Sequence, residues 1–413
     1  MSAKKRVPKL RFRGFSGEWE DQKIEDISEI IGGGTPSTSI AEYWDGEIDW
    51  YSPTEIGNKT YADGSVKKIT LLGLEKSSAR VLPANKTILF TSRAGIGSVA
   101  ILRKDGTTNQ GFQSFIVKSD NDTYFMYSLS NKIKEYALKI ASGSTFLEIS
   151  GKQLSKISVC IPKKNEQTKI GNYFQNLDKL IEQKEKKYQK LGQLKKAILE
   201  KMFPKEGATT PEIRFKGFSG EWEEKNLGEI MDVTSVKRIH QSDWTDSGIR
   251  FLRARDIVSI YKNKKPSDYL YITEEKYIEY SLISGKVKKN DLLVTGVGTI
   301  GIPMLISNNK PLYFKDGNII WFKNENKLDG NFLYYSYINN KIKSYINISA
   351  GTGTVGTYTI DSGKKTPIQY PIKNEQTKIG NYFQKLDKLI DLHLQELEKL
   401  KNIKKASLAK MFV

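Results

Sequence analysis

The chain is written twice, and what is repeated limits what it can fold into. Residues 11–20 read RFRGFSGEWE and residues 214–223 read RFKGFSGEWE, identical at 9 of 10 positions. Residues 165–181 (NEQTKIGNYFQNLDKLI) and 374–390 (NEQTKIGNYFQKLDKLI) agree at 16 of 17, and residues 195–203 (KKAILEKMF) and 404–412 (KKASLAKMF) at 7 of 9. The offset is 203 at the first repeat and 209 at the other two, so the six extra residues lie between them. The intervening stretches, roughly 21–160 and 224–370, share only scattered matches, such as 90–97 against 294–301 and 50–56 against 251–257. Each half is a fixed lead-in, a divergent module and a near-fixed tail.

The tails read as helices. In the first, Ile170, Phe174, Leu177, Ile181, Lys184, Tyr188, Leu191, Lys195, Ile198 and Met202 alternate by four and three residues. That is the 3.5-residue period of a coiled coil. The second repeats it with Ile379, Phe383, Leu386, Ile390, His393, Leu397, Leu400, Lys404, Ser407 and Met411. Pro162 and Pro371 precede the helices and Pro204 ends the first. A helix over 165–203 would run about 55 Å. Such a seam needs a partner, and the other copy is the obvious one. Connectivity then makes the pair antiparallel, with the modules at opposite ends about a pseudo-two-fold axis. B-DNA has the same backbone symmetry, so two inverted modules would meet two half-sites that need not match in sequence. A helical hairpin that only mediates oligomerisation is the competing reading, and it leaves two divergent basic modules without a role.

Both modules read as mixed α/β. Strands are expected at 88–91, 99–102, 115–117, 249–252, 292–295 and 319–322, and helices at 123–140 and 331–346. The rest is rich in Gly, Ser, Thr and Asn, as loops are, and loops carry readout. Lys+Arg number 66 against 47 Asp+Glu, a net charge of +19 with a pI near 9.5, which fits a polyanionic partner: DNA, RNA or an anionic membrane. Candidate DNA contacts in the first module are Lys59, Lys67, Lys68, Ser92, Arg93, Gln110 and Gln113. In the second they are Arg250, Arg253, Arg255, Lys262, Lys264, Lys265 and Asn318. Arg253 and Arg255 alternate with Ala254, so on a strand they would share one face. Residues 163–205 hold 12 Lys and 5 acidic residues, a helix face for solvent, phosphates or a protein partner.

Several chemistries are disfavoured. One cysteine, Cys160, excludes a disulfide framework and suits a reducing cytosol. The basic start (Lys4, Lys5, Arg6) leads into no apolar signal region, and no run approaches the roughly 18 apolar residues of a membrane span. Gly296-Val297-Gly298-Thr299-Ile300-Gly301 fits G-x-G-x-x-G, but Pro303 follows where a dinucleotide site needs a helix, so a tight hairpin-like turn is expected. Gly351 and Gly356 have P-loop spacing without the phosphate-gripping lysine. Two histidines, His240 and His393, with one cysteine assemble no zinc cluster. No G-x-S-x-G elbow occurs, and no Pro is followed by Asp.

The doubled lead-ins and the doubled NEQTKIGNYF…LDKLI tails resemble the specificity subunit of bacterial type I restriction-modification systems, over essentially the whole chain. Gly33-Gly34-Thr35-Pro36-Ser37, followed by Tyr43-Trp44 and Trp50, resembles one class of its target-recognition domains; the second module lacks that segment. The resemblance implies target-recognition domains at 1–162 and 206–371, spacer helices at 163–205 and 372–413, and a mixed α/β fold with an antiparallel helix pair. Ile170, Phe174, Leu177, Ile181, Leu191, Ile198, Ile379, Phe383, Leu386, Ile390, Leu397 and Leu400 would form its seam. Each domain would read one half of an asymmetric bipartite DNA target while the helices set the gap and dock two methyltransferase subunits. S-adenosylmethionine, ATP and Mg2+ would belong to those and to restriction subunits, and this chain would be non-catalytic and cytoplasmic. The alternatives are a coiled-coil scaffold without DNA readout and a self-contained DNA-modifying enzyme.

Overall fold

The computed structural model describes residues 6–57, 59–93, 95–142, 147–350 and 356–413. They divide into two compact units: Met1–Lys186 with Gln395–Val413, and Lys187–Leu394.

In the first unit the central layer is a five-stranded sheet in the order Ser28–Gly32, Gln113–Val117, Thr87–Phe90, Val99–Leu102, Tyr61–Ala62. Its middle strands carry continuous apolar runs because both faces are covered. Ile88 and Phe90 join Ile101 and Phe115 in a core against the helix Thr123–Ile140. Leu89, Ala100 and Leu102 point the other way, into a core with Tyr51 and Phe112. Beyond that core lies a three-stranded sheet of Lys67–Ile69, Trp44–Tyr51 and Gly106–Thr108. Glu20–Lys23 and Ser158–Ile161 pair antiparallel and close the module next to the long helix.

The second unit repeats the plan with different residues. Its four-stranded sheet runs Asp232–Thr234, Ile319–Lys323, Leu292–Thr295, Pro303–Leu305, and its smaller sheet Leu270–Ile272, Ile249–Leu252, Leu312–Phe314. Leu292, Val294, Ile320 and Phe322 face one core, and Leu293, Ile319 and Trp321 the other. Glu223–Asn226 and Pro367–Tyr370 form the closing ribbon. The expected strands all occur, within two residues at their ends. The helix expected at 331–346 is instead two, Gly330–Tyr337 and Asn340–Ser349. Asn339 interrupts it: its backbone is extended and its side chain accepts from the Lys341 N–H at 3.1 Å, a capping role for which Asn is suited. Periodicity runs through such a break undisturbed.

The long helices are Lys164–Lys201 and Lys373–Met411. Within the first unit they run antiparallel, with Tyr173 beside Ser407 (3.1 Å), Asp178 beside Lys404 (2.5 Å) and Lys184 beside Glu396 (2.5 Å). Within the second, Lys195 meets Asp387 at 2.5 Å. Every expected seam residue is buried or half-buried.

The fixed segments lock each module onto its helix by matching contacts. Arg11 donates two bonds of 2.7 Å to Glu166, and Arg214 two of 2.7 Å to Glu375. Gln167 receives the Asp122 N–H and donates to the Pro162 carbonyl; Gln376 does the same for Asp329 and Pro371. The glycine in the middle of each helical motif is there for space. A Cβ on Gly171 would stand 2.2 Å from Asp122 Oδ1, and one on Gly380 2.6 Å from Asp329 Oδ1. These aspartates cap the module helices at Phe125 and Phe332, so the capped ends butt directly against the long-helix backbone. The tail of the opposite helix completes each core. Phe412 packs on Trp19, Phe125 and Phe174, and Phe203 on Trp222, Phe332 and Phe383.

Candidate nucleic-acid interface

The first module holds part of its predicted set around the small sheet, with Lys67 and Lys68 on one edge strand and Gln110 just after the other. The Gly33–Ser37 loop threads past Asn109 and Ser78 so closely that a Cβ on Gly33 would sit 1.9 Å from the Asn109 carbonyl, and one on Gly34 2.4 Å from Ala79 N. Trp50 fixes the loop by donating to the Gly34 carbonyl (2.8 Å), and Trp44 by donating to that of Ser37 (3.1 Å). The Thr35 hydroxyl is thereby placed against the exposed Gln110 amide, to which it donates. Lys67 lies over the Trp44 ring at 5.6 Å, and Lys68 is 3.9 Å from the buried carboxylate of Asp49. Gln110 and Lys67 are thereby linked through the Thr35–Ser37 loop and Trp44, which charge and polarity alone do not single out, whereas Lys68, the next residue on the strand, points to the opposite face with Asp49. The local signal was aromatic residues next to a glycine pair.

The other first-module residues lie elsewhere. Lys59 is exposed and, with Arg103, near enough to Glu182 on the long helix to help lower its pKa after the dominant bond from Lys186. Arg103 stacks on Tyr61 at 3.9 Å, an arginine that pattern reading passed over. Arg93 is half-buried in the turn after Thr91, beside Ala94, which lies outside the described residues. Gln113 is half-buried, its amide filling the space beside Gly32 and Gly151. Ser92 is 0% exposed. Burial removes it from any surface that could meet a duplex, and the expectation of a contact there does not hold.

In the second module the arginines are not on one strand face. Arg253 is the N-cap of the helix Ala254–Tyr261, and Arg255 lies in its first turn. The reason is Asp256, whose carboxylate accepts the Arg253 N–H at 2.9 Å and so starts the helix where alternation suggested a strand. Arg253 also reaches Asp268 (2.9 Å), and Arg255 donates twice to Asp268 at 2.8 Å. The bond from Arg253 is the main cause that draws the Asp268 carboxyl down to about 2. Arg250 stacks on Tyr269 at 4.4 Å and donates to the Leu270 carbonyl at 2.9 Å. With Lys264, Lys265 and Tyr269 it lines a cleft of about 360 Å³. Lys262, Lys264 and Lys265 are exposed on the loop that follows the helix. This arrangement brings six of the seven predicted residues into one neighbourhood; Asn318 instead stands beside the hairpin turn, its carbonyl accepting from Gly296 at 2.8 Å.

Chemically, Arg253 is 13% exposed with Nε, Nη1 and Nη2 all bonded to Asp256 and Asp268, so in the second module Arg255 and the exposed Lys262, Lys264 and Lys265 are the groups open to base edges and phosphates. Arg255 is 60% exposed and commits only one terminal nitrogen to Asp268. The first module offers hydroxyl, amide and lysine groups framed by indoles.

The G-x-G-x-x-G segment is a hairpin turn between the antiparallel strands Leu292–Thr295 and Pro303–Leu305. Thr295 staples it, donating to the Thr299 carbonyl and accepting from the Ile302 N–H at 2.9 Å, as Thr91 does for Gly95 and Ser98. Of the pair with P-loop spacing, Gly351 lies outside the described residues. Among the described residues no helix is long and apolar enough to cross a membrane.

Known proteins give the context. The profile of the type I restriction modification DNA specificity domain matches residues 16–193 and again 219–402. The MjaIX type I restriction enzyme specificity subunit of Methanocaldococcus jannaschii is 34% identical over 262 residues, 58% of this chain and 58% of that one. The MjaVIII specificity subunit of the same organism is 26% identical over 408 residues, covering 94% of this chain and 90% of its own length. Among solved structures, the type I restriction-modification S subunit from M. genitalium superposes with a TM-score of 0.57 at 18% identity, over 98% of this chain and 99% of that one. The fold is common to both. With a matching domain in each half, the chain belongs to the type I restriction-modification DNA specificity family.

Proposed function

We propose that this chain is the subunit that chooses the DNA site in a type I restriction-modification complex, each module reading one half of an asymmetric bipartite target. The observation that carries the reading is the contrast inside the repeat: the anchoring contacts agree pair by pair, while the exposed polar sets on the two modules share no residue pattern. Two identical readers would impose a palindrome; two different readers on equivalent mounts give two different half-sites. The long helices hold the readers and set the unspecified gap. Their outer faces dock methyltransferase subunits that carry S-adenosylmethionine, and restriction subunits supply ATP- and Mg2+-dependent cleavage. The chain itself is non-catalytic and works in the cytoplasm.

The test is a module exchange. Residues 21–160 are replaced by the matching stretch of a relative, and methylated sites are mapped across the host genome. One half-site changes and the other stays; a change in both ends the modular reading. Binding of S-adenosylmethionine, or DNA cleavage, by the purified chain would return it to the enzyme class.

A further inference from the structure

The divergent modules hide one more repeat. Asn131-Lys132-Ile133-Lys134 recurs as Asn340-Lys341-Ile342-Lys343, at the 209-residue offset of the tails. In each unit this turn of helix lies on the Lys-Lys end of the long helix packed against it. In the second unit Asn339 donates to the Leu199 carbonyl (3.3 Å) and Asn340 to Glu200 (3.2 Å). In the first, Asn131 and Lys134 line a polar cleft of about 260 Å³ with Lys404 and the hydroxyl residues Ser98, Ser128 and Ser130. Among the described residues no carboxylate lines that cleft.

The lysines follow one rule in both copies. The first of each pair is neutralised: Lys132 by Glu135 (4.0 Å), Lys341 by Glu224 (3.1 Å), Lys404 by Asp178 (2.5 Å) and Lys195 by Asp387 (2.5 Å). The second of each pair, Lys134, Lys343, Lys405 and Lys196, has no carboxylate within ion-pair distance among the described residues. In the second unit the lysines crowd each other: Lys343 is driven below the usual lysine range by loss of solvent and then by the like charges of the paired Lys195 and the unpaired Lys196. Like charges held together on a scaffold are unfavourable alone and favourable around an anion. An element kept the same while its surroundings differ must meet something that is the same at both ends. Base sequence is not; the phosphate backbone is, as is a methyltransferase subunit, and of the two, cations left without a carboxylate suit the phosphates.

Resting on the DNA-site reading above, we propose that the Asn-Lys-Ile-Lys turn and the Lys-Lys end packed on it form a phosphate clamp in each unit, gripping the duplex independently of sequence. In the first unit hydroxyls, an amide and ammonium groups surround the cleft, the donor set that phosphate oxygens take; in the second the Asn340 amide is held by Glu200, and the unpaired Lys343 and Lys196 carry the grip.

The experiment uses the full chain assembled with its methyltransferase subunits. Affinity for a duplex carrying the mapped target and for an unrelated duplex of equal length is measured against salt. K134A/K405A and K343A/K196A each remove two unpaired charges and no internal bond. Each double variant is expected to flatten the slope of log K against log salt by about 1.8, on both duplexes alike, at about 0.9 per phosphate contact. The target-to-unrelated ratio stays constant, and the lysine-to-arginine versions restore the slope. An unchanged slope overturns the proposal, as does flattening on the target alone, which would make these residues base readers. Intact DNA binding with lost methyltransferase association would also overturn it, in favour of an acidic protein surface. If the unaltered complex fails to prefer its target, the underlying reading fails, and that outcome is separate from the slope.

Discussion

Two regions of each unit behave oppositely when the halves are compared. At the foot of the long helix, the halves agree contact for contact: Arg11 on Glu166 matches Arg214 on Glu375, and Phe412 in the first core matches Phe203 in the second. At the small sheet they agree only in strand plan. There the first module frames Thr35, Gln110 and Lys67 with indoles, and the second locks arginines onto Asp256 and Asp268. The lesson is that mount and reader are separable. The mount is built from buried charge pairs and ring packing, which tolerate little change, and the reader from exposed groups on loops and helix starts, which can change without disturbing the core.

The largest effects test whether the mounts are equivalent. Glu166 and Glu375 side chains are 4% and 0% exposed, so deleting their arginines strands a buried carboxylate. Arg11→Ala and Arg214→Ala should each cost about 3–5 kcal/mol. Urea unfolding of the full chain, followed for each transition, measures both. A large loss from one and none from the other would break the comparison. Phe412→Ala and Phe203→Ala remove rings that are 6% and 5% exposed. Each should cost about 3 kcal/mol, and the loss should fall on the unit whose core the ring completes. Gly171→Ala and Gly380→Ala come next. Alanine is the better helix former by about 1 kcal/mol, yet its Cβ would collide with the capping aspartate at 2.2 or 2.6 Å. Overpacking should win by about 1–3 kcal/mol, and a rise in stability would show that the contact yields.

The mount was legible in the sequence and the reader mostly was not, for a physical reason. A coiled-coil period and near-identical repeats are patterns along the chain, so the long helices could be read directly. The apolar runs 88–90 and 292–294 announced sheet interiors in the same way. Reading surfaces are assembled across the fold. Thr35 meets Gln110 only because two glycines let their loop pass close to Asn109. Alternation put Arg253 and Arg255 on a strand, whereas one carboxylate three residues on, Asp256, makes a helix start. Ser92 looked like a loop hydroxyl and is core. The Asn-Lys-Ile-Lys repeat was present in the letters, but four residues carry meaning only once both copies are seen against the same helix end.

The smallest effect sharpens the comparison at the reader itself. Asp268 joins Arg253 to Arg255 in the second module, and among the described residues no carboxylate of the first module joins two arginines. Its carboxyl titrates near 2 when folded, against about 3.9 in an unfolded chain. A depressed folded value means the charged form is favoured by folding, so its contribution is present above about pH 4 and lost as pH falls through about 2. Asp268 is exposed, so solvent screens the pair and the global effect should be slight. Asp268→Asn should therefore leave stability at neutral pH nearly unchanged and remove a small part of the second unit's loss between pH 4 and 2. Its effect on DNA should be clearer. Arg255 loses its internal carboxylate while Arg253 keeps Asp256, so affinity for unrelated duplex rises, its salt slope steepens, and discrimination weakens at the half-site read by the second module only. If discrimination weakened at the first module's half-site instead, the assignment of one reader to one half would be reversed.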